Sequence, residues 1–214
     1  MSRFVLVKDE YGYGIKDVLV SQHPLRVDFL SSELHYRRYH GGKKELLLKA
    51  VGARPGLTVW DCTAGLGIDS FLMASEGCEV TLFERSTVVA MLLEQALTSA
   101  SGEVREITAR MKLIKNDAVN YLQNIVEAPD VVFIDPMFPS RRKSARVKGG
   151  MQILQKFIGK DEDASELVRL ALQSRCPRVV VKRPISGAGF GDFKPAFSLS
   201  AKSNRFDVFL NPSG

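Results

Sequence analysis

Val131-Val132-Phe133-Ile134-Asp135-Pro136-Met137-Phe138-Pro139 is the stretch on which the architecture of this chain turns. Its unbroken apolar start, rich in β-branched and aromatic residues and bounded by turn signals, reads as a short strand buried on both faces. Such strands belong to parallel sheets. Asp135 arrives where the strand must end, and Pro136 and Pro139 forbid a regular continuation. A carboxylate, a proline carbonyl and an aromatic ring are thus presented at the carboxyl end of a strand, the edge at which open α/β sheets bind ligands. Such a corner can grip a planar amine between hydrogen-bond acceptors and a stacking face. A strand followed by a proline-rich turn accounts for the same residues equally well, so the neighbours must decide.

Downstream, Arg141-Arg142-Lys143-Ser144-Ala145-Arg146-Val147-Lys148 carries five cations and no acid. Most charge runs are solvated faces, but this one abuts a candidate site. The whole chain has 214 residues, 45% hydrophobic and 25% charged, with a formal net charge of +6. That is enough for one α/β domain with a modest appendage, and the basic excess is compatible with a polyanionic partner without requiring one. No apolar run approaches the roughly 18 residues of a membrane span, and Met1-Ser2-Arg3-Phe4 lacks the apolar core of a signal peptide. Cys62, Cys78 and Cys176 are odd in number and far apart. They show neither a metal-ligand spacing nor a disulfide framework, so reduced thiols, no metal, no membrane and a cytoplasmic location are expected.

Upstream, residues 3 to 20 read as a hairpin turning around Asp9 to Gly14, and Leu25 to Phe29 alternates as a further strand. Residues 1–40 are read as a small N-terminal β-rich appendage that must pack on the main domain, residues 41–214. Leu34 to Lys44 mixes aromatics, cations and histidines in a way that suits phosphate contact and stacking, or equally a surface linker. Glu45 to Val51 reads as a helix. From Leu57 strands and helices alternate: strands at 57–61, 79–84, 111–114, 131–134 and 178–182, and helices at 68–76, 87–99, from Asp117 through Ile125, and 165–174. Two closing strands, 196–201 and 205–210, are close enough to be antiparallel neighbours. Repeated strand–helix units imply a mostly parallel sheet with helices on both faces.

The turn Cys62-Thr63-Ala64-Gly65-Leu66-Gly67 after Asp61 lets the backbone pass close to a ligand, and the helix beginning near Ile68 offers free N–H groups. Glu84 ends the second strand of the alternation about 20 residues on, where an acid in nucleotide-binding folds accepts from ribose hydroxyls. The third glycine of a dinucleotide turn is missing, with Ser70 in its place. Asp61, Asp69, Glu84 and Asp117 at successive strand ends would repel a pyrophosphate but suit a cationic ligand with a ribose and no phosphate. S-adenosylmethionine has that chemistry. For Asp69 and Asp117 a helix N-cap is the alternative role.

Val59-Trp60-Asp61-Cys62-Thr63-Ala64-Gly65-Leu66-Gly67 resembles the first motif of class I S-adenosylmethionine-dependent methyltransferases. Asp135-Pro136-Met137-Phe138 resembles the (Asp/Asn/Ser)-Pro-Pro-(Tyr/Phe/Trp) motif of enzymes that methylate exocyclic amines of bases, with Met137 in place of the second proline. The longer combination of Asp61 to Asp69, Leu82-Phe83-Glu84-Arg85, Asp135 to Pro139, Lys143-Ser144-Ala145, Val179 to Pro184 and Arg205-Phe206-Asp207 resembles the bacterial small-subunit (16S) ribosomal RNA guanine-N2 methyltransferases of the RsmJ family. The resemblance implies a Rossmann-like class I fold with a mostly parallel seven-stranded sheet and the small N-terminal β appendage. The portion before Gly41 is shorter than that family's usual amino-terminal part.

The resemblance places cofactor contacts on Ile68, Asp69, Glu84, Arg85, Asp117, Ala118 and Asp135, beside the turn residues Asp61, Thr63, Ala64, Gly65 and Gly67. Asp135 and the Pro136 carbonyl would accept the hydrogens of a guanine amine and Phe138 would stack on the base. Arg141, Arg142, Lys143, Arg146 and Lys148, with Lys182 and Arg183, would hold flanking phosphates of ribosomal RNA or the small ribosomal subunit. The rival readings are an adenine or cytosine amino-methyltransferase on another nucleic acid, a non-catalytic RNA-binding relict of the fold, and a nicotinamide oxidoreductase. The last is disfavoured by the acid-rich pocket.

Overall fold

A computed structural model describes residues 3–19, 23–41, 45–136, 149–158, 163–187 and 189–211. The chain opens with a hairpin of β1 (Phe4–Asp9) and β2 (Gly12–Asp17), paired in register from Phe4↔Asp17 to Asp9↔Gly12. The turn is therefore tighter than the sequence suggests, and β2 begins at Gly12. Residues 25–29 do not form the expected strand. Leu25 makes one antiparallel bridge to Ile15, and Phe29 leaves the hairpin to stack on Phe71 at 4.8 Å between ring centroids. Burying that ring in the main core outweighs a third strand on a two-stranded ribbon, which has little face of its own to cover.

Next come α1 (Ser32–Tyr36), a π-helical turn over Arg37–Gly41, and α2 (Leu46–Val51), which Gly52 ends in the left-handed region. From there the strand–helix alternation runs as expected. β3 (Thr58–Asp61) leads to α3 (Ile68–Ser75), β4 (Glu79–Phe83) to α4 (Thr87–Thr98), and α5 (Gly102–Thr108) precedes β5 (Met111–Ile114). Then follow α6 (Ala118–Leu122), β6 (Val131–Ile134), α7 (Gly149–Ile158), α8 (Ala164–Gln173), β7 (Arg178–Pro184), β8 (Phe197–Ser200) and β9 (Asn204–Leu210). The sequence reading has no counterpart to α5 or α7. α5 carries only Val104 and Ile107 as large apolar residues. In α7, Ile153, Leu154, Phe157 and Ile158 do recur at helical spacing, and they pack with the hairpin's Ile15.

Seven strands make one sheet in the order β5-β4-β3-β6-β7-β9-β8. β3 to β7 are parallel, β9 runs antiparallel to β7, and β8 antiparallel to β9. β6 lies in the middle and is buried throughout. Its alternation divides the core: Val131 and Phe133 join a layer with Leu47, Phe71 and Met73, while Val132 and Ile134 join one with Leu167, Val168 and Ala171. Period-two side chains between helices on both faces explain why the run contains no polar position. The strand order reverses between β3 and β6, and that switch point puts a crevice at the ends of those two strands. The hairpin packs against α4, where the Tyr13 N–H donates to Gln95 Oε1 at 2.8 Å and Ile15 meets Val89 and Leu92.

Candidate active site

The glycine turn is built by its neighbours. Gly65 and Gly67 take φ of 54° and 72°, a region that side chains disfavour. A Cβ on Gly67 would also meet Leu93 Cδ1 at 2.7 Å. The Ala64 N–H donates to the Phe83 carbonyl at 3.1 Å, and the Glu84 carboxylate accepts from the N–H groups of Gly65 at 2.9 Å and Ser86 at 2.7 Å. The end of β4 thereby fixes both the turn and the acid beside it.

This turn borders a cleft of about 590 Å³, open mouth included. Its walls are Cys62, Thr63 and Gly65 from the turn, Phe83 at the end of β4 with Glu84 and Arg85 after it, Asn116 to Ala118 after β5, and Asp135 and Pro136 after β6. Ile158 at the end of α7 and Asp163, Ala164 and Leu167 at the start of α8 complete the lining. Asp117 caps α6, its carboxylate accepting from the Val119 N–H at 2.9 Å. Among the described residues the lining offers the carboxylates of Glu84, Asp117, Asp135 and Asp163 against one cation, Arg85, with Phe83, Ile158, Ala164 and Leu167 as apolar walls. S-adenosylmethionine fits that donor set. Glu84 suits the ribose hydroxyls, Asp117 and Ala118 the polar edge of adenine, and the apolar walls its faces. A pyrophosphate does not fit it.

At the other end of the cleft stands Asp135. Its N–H donates to Thr63 Oγ1 at 2.7 Å, so the glycine turn and the Asp135 motif hold each other. Its carboxylate Oδ2 accepts from Lys182 Nζ at 2.6 Å, and the same ammonium donates to Asp69 Oδ2 at 2.8 Å. Asp69 Oδ1 in turn receives Arg37 at 3.0 Å, and Arg37 also pairs with Glu45 at 3.2 Å. A continuous row of alternating charge therefore runs from the π-helical turn to the end of β6. Burial alone would raise the Asp69 carboxyl, but Lys182 and Arg37 hold it below the usual carboxylate range. Burial, with Asp69 adding to it against the pull of Lys182, lifts Asp135 above that range. Desolvation would lower the Lys182 ammonium, yet Asp69 and Asp135 hold it well above its ordinary value.

Asp61 behaves differently from the expected pocket acid. It is 2% exposed, and its carboxylate turns inward to accept from Ser70 Oγ at 2.5 Å and the Thr63 N–H at 3.1 Å. Burial pushes it up to about 7 despite those hydrogen bonds. Four strand-end acids facing one pocket is thus not the arrangement found: Glu84 and Asp117 line the cleft, Asp61 braces the turn, and Asp69 reaches Asp135 through Lys182.

Of the residues singled out from sequence, Thr63, Gly65, Glu84, Arg85, Asp117, Ala118, Asp135 and Pro136 line the cleft. Ala64 and Gly67 shape the turn, and Ile68 packs on the core. Met137, Phe138, Arg141, Arg142, Lys143, Arg146 and Lys148 lie outside the described residues. Lys182 and Arg183 do not form the expected phosphate surface. Lys182 is engaged by two carboxylates. Arg183 is 4% exposed, bonded to Asp207 at 3.2 Å, with its guanidinium over the Phe190 ring. Sequence reasoning missed Arg37 and Glu45 as parts of the site. Arg37 belongs to the aromatic–cation stretch, whose composition suits phosphate contact and stacking or equally a surface linker.

The fold and the cleft are those of an S-adenosylmethionine-dependent methyltransferase: the family model described as putative SAM-dependent methyltransferase matches residues 2–211. Ribosomal RNA small subunit methyltransferase J of Aeromonas salmonicida is 45% identical over 190 residues, covering 86% of this chain and 76% of that protein. The protein of the same name from Stutzerimonas stutzeri is 43% identical over 192 residues, covering 87% and 74%. The chain belongs to the ribosomal RNA small subunit methyltransferase J family. A solved structure of a SAM-dependent methyltransferase from Neisseria gonorrhoeae superposes with a TM-score of 0.75 at 36% identity, over 98% of this chain and 83% of that one.

Proposed function

We propose that the protein methylates the exocyclic amine, N2, of a guanine in 16S ribosomal RNA, with S-adenosylmethionine as methyl donor. One observation carries the reading: Asp135 and Pro136, the amine-gripping corner, wall the same cleft as Glu84 and Asp117, the acids suited to the cofactor. The relatives' name supplies the substrate class.

S-adenosylmethionine, when bound, supplies an activated methyl group on a sulfonium. The residues of the chain position the acceptor. The guanine amine has its lone pair delocalised into the ring, and hydrogen bonds from its two hydrogens to Asp135 and the Pro136 carbonyl restore nucleophilicity. Alignment of nitrogen with the bond to be broken is the main contribution. Asp135 need not remove the proton first, because the methylated nitrogen is cationic and gives it up afterwards. Glu84 would hold the ribose hydroxyls and the polar edge at Asp117 and Ala118 the adenine, while the turn from Asp61 to Gly67 and the start of α3 at Ile68 and Asp69 fix the backbone around the rest of the cofactor. The target base must be unpaired or flipped to enter. Phe138 would stack on it, and Arg141, Arg142, Lys143, Arg146 and Lys148 would hold the flanking phosphates, with affinity falling as salt rises.

The test is transfer of labelled methyl from S-adenosylmethionine into 16S ribosomal RNA, followed by mass spectrometry of the nucleosides. Asp135→Ala is expected to lower the rate roughly 10²- to 10⁴-fold with cofactor affinity nearly intact. Label in an adenine or cytosine product, or undiminished transfer by the variant, would sink the reading.

A further inference from the structure

Lys182 and Asp135 sit on adjacent parallel strands. Ile134 is in register with Val181, so the residue after each stands level with its neighbour, and the two side chains meet at 2.6 Å. The lysine is not a surface cation. Its side chain is 21% exposed and its ammonium bonds two carboxylates, one of them the motif acid. Asp69, the other, comes from the first turn of α3 and is 13% exposed. Two carboxylates bonded to one nitrogen lie close enough to repel, and without a cation between them one would protonate or swing away. Asp69 is in turn anchored by Arg37, itself paired with Glu45, so the ammonium is fixed from the side away from the cleft.

We propose that Lys182 is a positioning residue for methyl transfer: its ammonium, braced by Asp69, occupies Oδ2 of Asp135 and so turns Oδ1 toward the substrate amine. This rests on the reading of Asp135 as the amine acceptor. Occupying one oxygen removes the rotational freedom of the carboxylate and leaves a single acceptor for the nitrogen, and a misplacement of about 1 Å at such a centre costs on the order of 100-fold in rate. The charge has a second effect. Asp135 faces Lys182 from β7, Asp69 from α3, Arg37 from the π-helical turn and the buried Asp61 from β3. Among the described residues Lys182 and Arg37 are the cations that face it, and of the two Lys182 is the one bonded to Asp135. Removing it leaves Asp135 beside Asp69 with less to hold it ionised, so protonation moves to higher pH.

Three variants test this with S-adenosylmethionine carrying labelled methyl and 16S ribosomal RNA as substrates: Lys182→Met, Lys182→Arg, and Lys182→Met combined with Asp69→Asn. Lys182→Met is expected to lower kcat about 100-fold, to leave cofactor affinity by calorimetry within a few-fold, and to shift the acid limb of the kcat–pH profile upward by about one unit. Lys182→Arg keeps the charge and should return the limb to its place while recovering only part of the rate. The double variant removes the like charge left behind and should bring the limb back toward wild type without the cation. An unshifted limb in Lys182→Met overturns the proposal, as does a loss of kcat matched by equal losses of cofactor affinity and melting temperature. Should Lys182→Met not fold, the limb and rate of Lys182→Arg decide: a displaced limb with the charge retained overturns it. Failure of the underlying reading has a different signature, Asp135→Ala as active as wild type, and the role of Lys182 falls with it.

Discussion

The two ends of the cleft are assembled in opposite ways. At the β4–β5 end, acids are held by backbone groups close by. Glu84 accepts from Ser86 two residues on and from the turn it abuts, and Asp117 accepts from Val119. At the β6–β7 end, side chains from four separate segments are held by one another: Arg37, Asp69, Asp135 and Lys182. The first arrangement is a property of strand–turn–helix units and would form around any ligand of the right charge. The second exists only when the N-terminal turn, α3, β6 and β7 are all in place, and so ties chemistry to complete folding.

The largest effect expected from breaking the first arrangement is at Glu84. Glu84→Gln keeps the shape but turns an amide N–H toward one of the two backbone donors. It also replaces the charged acceptor facing the ribose hydroxyls, and losing a charge-assisted hydrogen bond to the cofactor costs roughly 1.5–3 kcal/mol, which is about ten- to a hundredfold in affinity. Titration calorimetry with S-adenosylmethionine reads it. The same variant should leave the pH profile of the chemical step in place, since Lys182 and Asp69 are untouched. Unchanged affinity would remove Glu84 from the cofactor's grip.

Asp61 sharpens the comparison because it looks like Glu84 in the sequence and is its opposite in the structure. A carboxyl held up near 7 in the fold and near 4 in the unfolded chain favours the fold fully only when protonated. Its contribution is present below about pH 4 and is lost as pH rises through the folded value. Asp61→Asn abolishes that loss. The variant should therefore gain on wild type by up to about 1.4 kcal/mol per pH unit across this window. Thermal melts between pH 5 and pH 8 measure the difference in slope, and parallel melting curves would show that Asp61 is ionised throughout. Cofactor affinity should change far less than in Glu84→Gln.

How much was legible follows the same divide. The strand–helix alternation, the glycine turn and Glu84 were readable because each is a short-range pattern: period-two burial, positive φ, and an acid one residue past a strand. Asp135 was readable for the same reason, as a carboxylate stopping an all-apolar strand. Its partners were not. Lys182 and Arg183 are consecutive cations that alternate across a strand, and sequence alone cannot say that one reaches Asp135 while the other is buried against Asp207 and Phe190. Arg37 stood in a stretch that suited phosphate contact or a surface linker alike, because the carboxylates it joins are drawn from 8 and 32 residues away. Asp61 misled because strand-end position does not reveal that Ser70, nine residues on, turns its carboxylate inward.

Arg85 gives the smallest effect and the cleanest control. It pairs with Asp163 at the start of α8 and with Asp117, and the three side chains are 40%, 43% and 31% exposed. Exposed pairs of this kind are worth about 0–1 kcal/mol, so Arg85→Ala should shift stability by less than that and cofactor affinity by less than tenfold. Salt separates the two ends of the cleft further. Ions screen charges that solvent reaches and scarcely touch those it does not, so the small penalty of Arg85→Ala should vanish as salt is raised. The pH shift produced by Lys182→Met should be screened less, because Lys182 and Asp69 are only 21% and 13% exposed, although Asp135 is 37% exposed. Measuring both at low and high salt, with cofactor held fixed and the pH profile repeated at each salt, turns the structural contrast into a kinetic one. If the Lys182 effect is screened as readily as the Arg85 effect, the row from Glu45 to Asp135 is a solvated surface network and the two ends of the cleft do not differ in kind.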